Sequence, residues 1–523
     1  MAETVQQLLR ERAEDDHLGL RYGERRWTWS EHLTEAAGEA AAVIALADPD
    51  RPLHVGVLLG NTPDMLRSMA AAALGGYVLV GLNTTRQGPA LLADVRRSDC
   101  QLLLVNDEHA HLVDGLDLDG VRVVDVSGLE PGAGSVAELV PHAEVGAMDT
   151  FMMIFTSGTS GEPKAVQVAH LMVLFSGLNL VERFSVTSDD VCYISMPLFH
   201  SNAVVAGWAV AVGSGAAMVP ARFSASRFLA DVREHGATYM NYVGKPLAYI
   251  LATPPQPDDA DNPLRVAFGN EASDRDIEEF ARRFDTHVMD GFGSTELAII
   301  ITRAEGTPRG SIGQGVGAVA IYDSETLQEC AVAEFDQNGA LVNADQAVGE
   351  LVNTEGAGYF QGYYNDTSAN DERMRHGMYW SGDLAYRDED GWIYLAGRTA
   401  DWMRVDGENL AAAPIERILQ RLPAVALVAV YAVPDARVGD QVMAAVVLQD
   451  DAALSPAELS AFLAEQADLP GKGWPRYVRI APELPSTATN KVLKRELISE
   501  GATAGDGVLW EREERGTAYT VAG

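Results

Sequence analysis

The segment 155–165, FTSGTSGEPKA, combines residue types that could surround a polyphosphate. Glycines allow backbone N–H groups to point inward, hydroxyl groups donate hydrogen bonds, and the ammonium of Lys164 supplies positive charge. The segment is not a Walker A loop, because Pro163 precedes Lys164 and Ala165 follows it. Turns rich in Gly, Ser and Thr are also common on protein surfaces, so composition alone leaves a solvated surface turn equally open.

The residues on either side of this segment indicate how it is held. The apolar run 151–155 is typical of a buried strand, and AVQVAH (165–170) alternates like a second strand. We therefore predict a hairpin whose connecting loop closes over a polyphosphate as a mobile flap.

Apolar runs that alternate with helical patterns predict the framework around this loop. Strand-like runs such as 54–60, 77–82 and 101–106 alternate with Ala/Leu-rich helical patterns such as 63–75. Further strand-like runs lie at 191–197, 216–220, 238–243, 264–269 and 286–291. This rhythm predicts an α/β fold, a large N-terminal body of parallel-type sheets covered by helices.

The pattern changes near residue 310 and again near residue 398. Short β elements joined by Gly-rich turns follow the first change and predict a small β subdomain. A compact α+β pattern follows the second, with helices predicted over 414–422 and 456–467 and strands over 426–433 and 441–448. We therefore predict two domains, residues 1–398 and a small, mobile C-terminal domain over residues 399–523.

The charge balance limits the classes of partner. Lys and Arg number 39 and Asp and Glu number 75, which gives a formal net charge of −36. Such a surface repels polyanions, so we expect no binding to nucleic acid. A small anionic substrate would need a local pocket lined by basic or amide groups.

Neither a disulfide framework nor a membrane span is expected. The three cysteines, Cys100, Cys192 and Cys330, lie far apart in the sequence, which fits a reducing cytoplasm. The N-terminus lacks the apolar core of a signal peptide. The uncharged run 203–221 is broken by glycines and a proline, so we interpret it as a buried helix followed by a strand. Peripheral membrane contact and oligomer formation remain open.

Six segments in order resemble the motifs of the adenylate-forming enzymes, which include acyl-CoA synthetases, peptide-synthetase adenylation domains and luciferases. FTSGTSGEPK resembles the phosphate-loop signature, with Ser160 and Ala165 replacing a threonine and a glycine. The other matching segments are PLFH (197–200), DGFGSTE (290–296), SGD (381–383), GRTADWMRVDGEN (397–409) and STATNKVLKREL (486–497). The segment AFGNEAS (267–273), the position of Arg404 and the C-terminal residues are most similar to the very-long-chain acyl-CoA synthetase and fatty-acid transport protein branch.

The resemblance implies a role for individual residues. Lys491 is implied as the catalytic lysine, although Asn490 replaces the usual glycine before it. His200 is implied at the acyl pocket, Thr295 at the phosphate, and Glu296, with Thr156, at Mg²⁺. Residues implied to bind the nucleotide or CoA, or to act at the hinge between domains, are Thr156, Ser157, Gly158, Thr159, Ser160, Gly161, Lys164, Asn270, Glu271, Ala272, Asp290, Gly291, Phe292, Gly293, Ser294, Asp383, Arg398, Asp401, Arg404 and Gly407.

Within that set, the resemblance assigns Phe292 to adenine, Asp383 and Arg398 to the ribose, Asp401 to the pivot and Gly407 to a pantetheine tunnel. We expect the carboxylate of Glu271 to face solvent rather than the acyl pocket, since glutamate is seldom buried unpaired.

The implied function is an ATP-dependent acyl-CoA ligase. A long-chain or bulky hydrophobic acid would react with Mg·ATP to give acyl-AMP and pyrophosphate, and CoA would then accept the acyl group. An adenylating enzyme that loads a separate carrier protein is the alternative. A non-catalytic nucleotide-binding protein is disfavoured by the presence of Lys491, Glu296 and Asp383, and a serine hydrolase by the absence of a G-x-S-x-G segment.

Overall fold

The computed structural model describes residues 2–129, 134–156, 163–304, 306–337, 341–398, 402–405, 408–435, 439–449, 451–469, 471–486, 492–513 and 516–522. At positions 402, 404, 408, 409 and 439 this description is limited to the backbone.

The helices are distributed along the whole chain. They are α1 (Val5–Glu11), α2 (Trp29–Leu46), α3 (Pro63–Gly75), α4 (Gly88–Arg97), α5 (His170–Phe184), α6 (Ser201–Ala203), α7 (Ala209–Ser214), α8 (Phe228–His235), α9 (Pro246–Leu251), α10 (Asp274–Phe284), α11 (Ala344–Ala347), α12 (Thr367–Arg373), α13 (Ala412–Leu419), α14 (Pro456–Ala464) and α15 (Lys494–Glu500). A π-helical turn, Val204–Trp208, connects α6 to α7.

The strands before residue 300 are β1 (Leu18–Tyr22), β2 (Arg25–Thr28), β3 (His54–Leu58), β4 (Val78–Gly81), β5 (Leu102–Val105), β6 (Arg122–Asp125), β7 (Thr150–Thr156), β8 (Lys164–Ala169), β9 (Val191–Ile194), β10 (Ala217–Pro220), β11 (Tyr239–Val243), β12 (Val266–Asn270) and β13 (His287–Gly291). The later strands are β14 (Ile301–Thr302), β15 (Gly313–Gly315), β16 (Val319–Tyr322), β17 (Gly349–Asn353), β18 (Met374–Arg375), β19 (Met378–Arg387), β20 (Trp392–Arg398), β21 (Trp402–Val405), β22 (Glu408–Ala411), β23 (Val425–Asp435), β24 (Gly439–Leu448), β25 (Tyr477–Ile480), β26 (Val508–Arg512) and β27 (Tyr519–Val521).

Two mostly parallel sheets form the large body. The first has the order β13-β12-β11-β9-β10-β1-β2, and only its edge strand β2 is antiparallel to its neighbour. The second has the order β6-β5-β3-β4-β7-β8, and only β8 is antiparallel. Strands such as β3, β5 and β9 are buried along their whole length, as expected when helices cover both faces. The predicted α/β fold is confirmed.

Two further sheets follow in sequence. The third is antiparallel, with the order β14-β15-β20-β19-β17-β16, and corresponds to the predicted small β subdomain. The fourth, β22-β21-β24-β25-β26-β27, packs with α13 and α14 around a separate hydrophobic core. A domain boundary between residues 398 and 399 remains a prediction.

Local sequence signals explain several helix ends. Thr28 and Glu31 form a capping box at α2, with the Glu31 carboxylate accepting from the Thr28 N–H at 2.8 Å. Pro63 begins α3, and Gly76 ends it in the left-handed conformation with φ of 65°. The run 203–221 forms α7 and β10, as predicted. Within the part of the chain that is described, no helix has the length and apolar character that a bilayer crossing requires.

The carboxyl ends of the parallel strands determine where a ligand can bind. Strands β11, β12 and β13 of the first sheet and β7 of the second all end beside one large cavity. In open parallel sheets, loops at these ends form the usual binding crevice.

Candidate active site

The base of the predicted phosphate loop is a regular hairpin. Strands β7 and β8 pair antiparallel, with Thr156 opposite Lys164, which confirms the predicted hairpin. Arg97 of α4 donates to the Pro163 carbonyl at 3.0 Å and so holds the point where the chain leaves the loop. Both Thr156 and Lys164 line the cavity.

The ammonium of Lys164 has partners within the protein. Its side chain is only 4% exposed, and Nζ lies 3.2 Å from Oε2 of Glu372. It also lies 5.2 Å from the ring centroid of Tyr363, on the ring face. In this arrangement Lys164 braces the wall of the cavity, and the phosphate contact that the resemblance implies for it remains a prediction.

Glu296 is buried at the same end of the cavity. Its residue is 8% exposed, and Oε1 accepts a hydrogen bond from the Tyr363 hydroxyl at 2.8 Å. Nε of Arg373 donates to that hydroxyl oxygen at 3.2 Å. The neighbouring Thr295 donates from Oγ1 to Oγ of Ser201 at 2.8 Å.

His200 caps the short helix α6 and lines the cavity. Its Nδ1 accepts from the backbone N–H of Asn202 at 3.4 Å. The Asn202 side chain in turn donates to Oδ1 of Asn270 at 3.2 Å, and Asn270 donates to the Gly291 carbonyl at 2.7 Å. This chain of amides connects PLFH to the two strand ends that the resemblance assigns to the nucleotide.

Asp290 supports the turn that contains Asn270, Glu271 and Ala272. Its carboxyl accepts from the N–H of Glu271 at 3.1 Å and from the N–H of Ala272 at 2.8 Å. The Tyr242 hydroxyl donates to it at 3.2 Å. Burial raises the pKa of the Asp290 carboxyl to about 7, although these hydrogen bonds and the Arg303 guanidinium favour the ionised form.

Glu271 occupies an exposed position at the cavity edge, in agreement with the expectation that it faces solvent. Its backbone adopts a left-handed conformation with φ of 66°, which is uncommon for a non-glycine residue.

Asp383 and Arg398 face each other across the third sheet. They are register partners on β19 and β20, and Nε of Arg398 lies 3.4 Å from Oδ1 of Asp383. Both side chains line the cavity. A carboxylate with two acceptor oxygens beside a guanidinium can bind a cis-diol.

One cavity of about 1610 Å³ brings most of the predicted site residues together. The predicted residues that line it are Thr156, Lys164, His200, Asn270, Glu271, Ala272, Asp290, Gly291, Phe292, Gly293, Ser294, Thr295, Glu296, Asp383 and Arg398. The remaining predicted positions, Ser157, Gly158, Thr159, Ser160, Gly161, Asp401, Gly407, Lys491 and the side chain of Arg404, lie outside the described residues.

The C-terminal unit forms part of the cavity wall. Ser486 and Val492, which flank the segment containing Lys491, both line the cavity. Within the C-terminal unit, Nζ of Lys494 lies 2.9 Å from Oε1 of Glu416. Between the large body and this unit, Arg275 of α10 donates to the Val425 carbonyl at 3.2 Å. The large body and the C-terminal unit therefore enclose the cavity together.

Part of the cavity lining is apolar, and we call this part the apolar wall. Its aliphatic and aromatic lining residues come from α5, the π-helical turn, the strand ends and the start of the third sheet: Met172, Leu180, Phe199, Val205, Ala206, Val243, Phe268, Leu297, Ile299 and Ile312. Ser176 lies among them, one helical turn after Met172. This wall fits a hydrophobic ligand group.

Sequence reasoning missed several residues that line the cavity, among them Tyr363, Arg373, Lys245 and Asn202. Lys245 follows β11, and burial lowers its pKa while Asp276 and Glu416 oppose that change. Only weak sequence signals pointed to Arg373 and Tyr363. Arg373 is the one basic residue in the acidic stretch 365–373, and Tyr363 follows Gly362.

The donor groups near the phosphate loop are suited to magnesium. Among the residues that the structure describes, no three or more His, Cys, Asp or Glu side chains form a metal cage. The Glu296 carboxylate and the Thr156 hydroxyl are two oxygen donors that line the cavity. Mg²⁺ is commonly bound by one or two carboxylates together with substrate phosphates, so this sparse set fits it.

Family comparison gives two matches along the chain. A model described as AMP-binding enzyme matches residues 9–364, and one described as AMP-binding enzyme C-terminal domain matches residues 414–491. Distant relatives include fatty acid transport proteins.

Among individual relatives, a medium/long-chain-fatty-acid–CoA ligase, FadD17 of Mycobacterium tuberculosis, is 50% identical over 97% of this chain and 98% of its own. A steroid-22-oyl-CoA synthetase of Rhodococcus jostii is 45% identical over 94% of this chain and 90% of its own. ATP-bound MatB of Rhodopseudomonas palustris superposes with a TM-score of 0.82 over 96% of this chain and 99% of that one. At 21% identity, that structure is informative for the fold alone. The resemblance drawn from the six motifs is confirmed.

Proposed function

The chain belongs to the AMP-binding enzyme family, and from that premise we propose that it joins a hydrophobic carboxylic acid to CoA at the expense of ATP. The carboxylate reacts with the α-phosphorus to give acyl-AMP and pyrophosphate, and the CoA thiol then displaces AMP. The observation that carries the proposal is the single cavity of about 1610 Å³ in which Glu296, Asp383 and Arg398 share one space with an apolar wall.

The proposed nucleotide site follows the cavity lining. Asp383 accepts hydrogen bonds from the ribose hydroxyls beside Arg398. Phe292 and the turn held by Asp290 border the adenine, and Thr295 contacts the α-phosphate. Backbone and hydroxyl groups of the loop between Thr156 and Pro163 hold the remaining phosphates.

The chemical obstacle in the first step is the approach of an anion to a polyanion. No covalent bond to the enzyme is needed, so catalysis rests on placement and on stabilisation of charge. We assign to Lys491 the compact positive charge that meets both the carboxylate and the α-phosphate. Bound Mg²⁺, held by Glu296 with Thr156 nearby, would neutralise phosphate charge.

Two domains, residues 1–398 and 399–523, divide this work in our proposal. Lys491 has to approach for adenylation and withdraw before the thiol reaches the same carbon. A rotation near Asp401 requires changes in only a few backbone dihedrals, and it would bring Gly407 to the path of the pantetheine arm.

The apolar wall and the relatives support a fatty or bulky hydrophobic acid as substrate. The relatives' names specify a medium or long fatty acid in one case and a steroid acid in the other. His200, at the acyl side, would border the carboxyl end of that substrate. Its cosubstrates ATP and CoA, together with three free cysteines, support a reducing cytoplasmic location.

A panel of acids tests the proposal. Fatty acids of graded length, steroid acids and short polar acids are supplied with Mg·ATP and CoA, and pyrophosphate release is measured. We expect the highest kcat/KM among the hydrophobic acids. The proposal would be contradicted if none of the acids in the panel gave pyrophosphate release. A strong preference for a phosphopantetheinyl carrier protein over CoA would favour the carrier-loading alternative.

A further inference from the structure

Tyr363 connects the exit strand of the phosphate loop to Glu296. Its backbone forms an antiparallel bridge with Val166 on β8. On either side of this bridge, the N–H of Tyr364 donates to the Ala165 carbonyl at 2.8 Å and the N–H of Gln167 donates to the Gly362 carbonyl at 3.1 Å. The segment 362–364 thus pairs with β8 through an isolated bridge, and its position follows that of the loop stem.

The side chain of Tyr363 leaves this bridge towards Glu296. Tyr363 is 2% exposed, and its hydroxyl donates to Oε1 of Glu296 at 2.8 Å. Since a buried carboxylate without a donor is costly, this bond determines which way the Glu296 carboxylate turns. No hydrogen-bond donor for Oε2 of Glu296 is found among the described residues.

Two cationic side chains, those of Arg373 and Lys164, hold Tyr363 in position. Arg373 donates from Nε to the hydroxyl at 3.2 Å and from Nη1 to the Trp380 carbonyl at 3.2 Å. Lys164 lies over the ring face and is fixed by Glu372. Glu372 and Arg373 are consecutive residues of α12, so one helix end anchors both contacts.

We propose that Tyr363 is a positioning residue for the adenylation step, whose hydroxyl orients the Glu296 carboxylate towards the magnesium-bound triphosphate while its backbone sets the register of the phosphate-loop stem. This inference rests on the proposed function, since it assigns to Glu296 a role in holding Mg·ATP. It also gives Lys164 a bracing role within the same cluster.

The neighbouring tyrosine supplies a matched control. The Tyr364 hydroxyl also donates to a carboxylate, Oδ2 of Asp99, at 3.0 Å, but Tyr364 does not line the cavity. Y363F and Y364F each remove one hydroxyl and keep the ring. They therefore separate loss of a tyrosine–carboxylate bond in general from loss of the bond to Glu296.

The readouts are Mg·ATP affinity by calorimetry without any acid, and the Mg²⁺ dependence of acid-dependent ATP–pyrophosphate exchange. For Y363F we expect both to weaken by about 10- to 100-fold, the range seen when a partner of a metal ligand is removed. For Y364F we expect values like those of the wild type. Thioester formation from supplied acyl-AMP should be unchanged in both variants.

A double variant tests whether Tyr363 acts through Glu296. In an E296Q background, Y363F should add little further loss of Mg·ATP affinity, because the carboxylate it orients is gone. R373K, which keeps the charge but removes the Nε donor, should shift the Mg²⁺ requirement in the same direction as Y363F. It serves as the deciding variant if Y363F does not fold by circular dichroism.

Equal Mg²⁺ requirements in Y363F, Y364F and the wild type would overturn the inference, as would full additivity of Y363F and E296Q. The calorimetric arm needs no acid. If the wild type binds Mg·ATP but activates no acid of any class, the proposed function fails and the comparison of the two tyrosine variants still decides this inference.

Discussion

The buried carboxyl of Asp290 predicts a specific pH dependence of stability. Burial raises its pKa to about 7 from an ordinary value of 3.8. Between these values the folded protein keeps a proton that the unfolded chain has released. The stabilising effect of that proton is therefore complete below about pH 4 and is lost as the pH rises through about 7.

The magnitude follows from the two pKa values. One pKa unit corresponds to about 1.4 kcal/mol, so relative to acid pH the Asp290 carboxyl destabilises the folded state by about 2 kcal/mol at about pH 5.5 and by about 4 kcal/mol at about pH 8.5. Asp290→Asn does not titrate. The substitution removes a carboxylate oxygen that accepts from the Ala272 N–H, and the resulting loss of folding stability does not depend on pH.

Denaturant unfolding of the wild type and D290N at these two pH values measures the effect. We expect the wild type to lose about 2 kcal/mol relative to the variant between about pH 5.5 and about pH 8.5. Asp259→Asn is the control, because Asp259 pairs with Arg283 at 2.7 Å and its pKa is lowered, so its difference from the wild type should be constant over this range. Stability differences for D290N that do not change with pH would refute the reasoning.

Three further predictions concern the reaction. Lys491→Ala should abolish ATP–pyrophosphate exchange and largely spare thioester formation from supplied acyl-AMP; parallel loss of both would argue against domain alternation. Asp383→Asn should raise the KM for ATP by about 10- to 100-fold, because a charged hydrogen bond to the ribose is weakened, and steady-state kinetics with varied ATP would detect an unchanged value. Ser176→Phe should lower kcat/KM for the longest acids by about 10-fold or more while sparing short ones, and a uniform loss over all chain lengths would count against contact between the acyl chain and the apolar wall at α5.

The framework was predictable because its signals are local. The predicted helix over 63–75 coincides with α3, since Pro63 and Gly76 mark its ends in the sequence itself. The helix predicted over 456–467 ends earlier, at Ala464. There the chain turns, and Asp468 forms an ion pair with Arg421 at 2.6 Å. No residue pattern around Ala464 encodes that distant partner.

The cavity residues at the ends of the parallel strands could be predicted from the sequence. The cavity contacts that the third sheet contributes could not. The turn at Asn270 and the segment before Glu296 follow the adjacent parallel strands β12 and β13, and neighbouring parallel strands end at the same edge of a sheet. Tyr363 reaches Glu296 across 67 residues, and Lys164 reaches Glu372 across 208. Pairings of this range depend on the packing of separate sheets, and local periodicity contains no information about them.

Oxygen transfer tests the central claim most directly. An acid labelled with ¹⁸O in both carboxyl oxygens is incubated with the enzyme, Mg·ATP and CoA, and the nucleotide product is analysed by mass spectrometry. If the carboxylate attacks the α-phosphorus, one labelled oxygen leaves with AMP when the thiol displaces it, so AMP should be 2 Da heavier and equimolar with acyl-CoA. Unlabelled AMP, or ADP as the nucleotide product, would contradict the account.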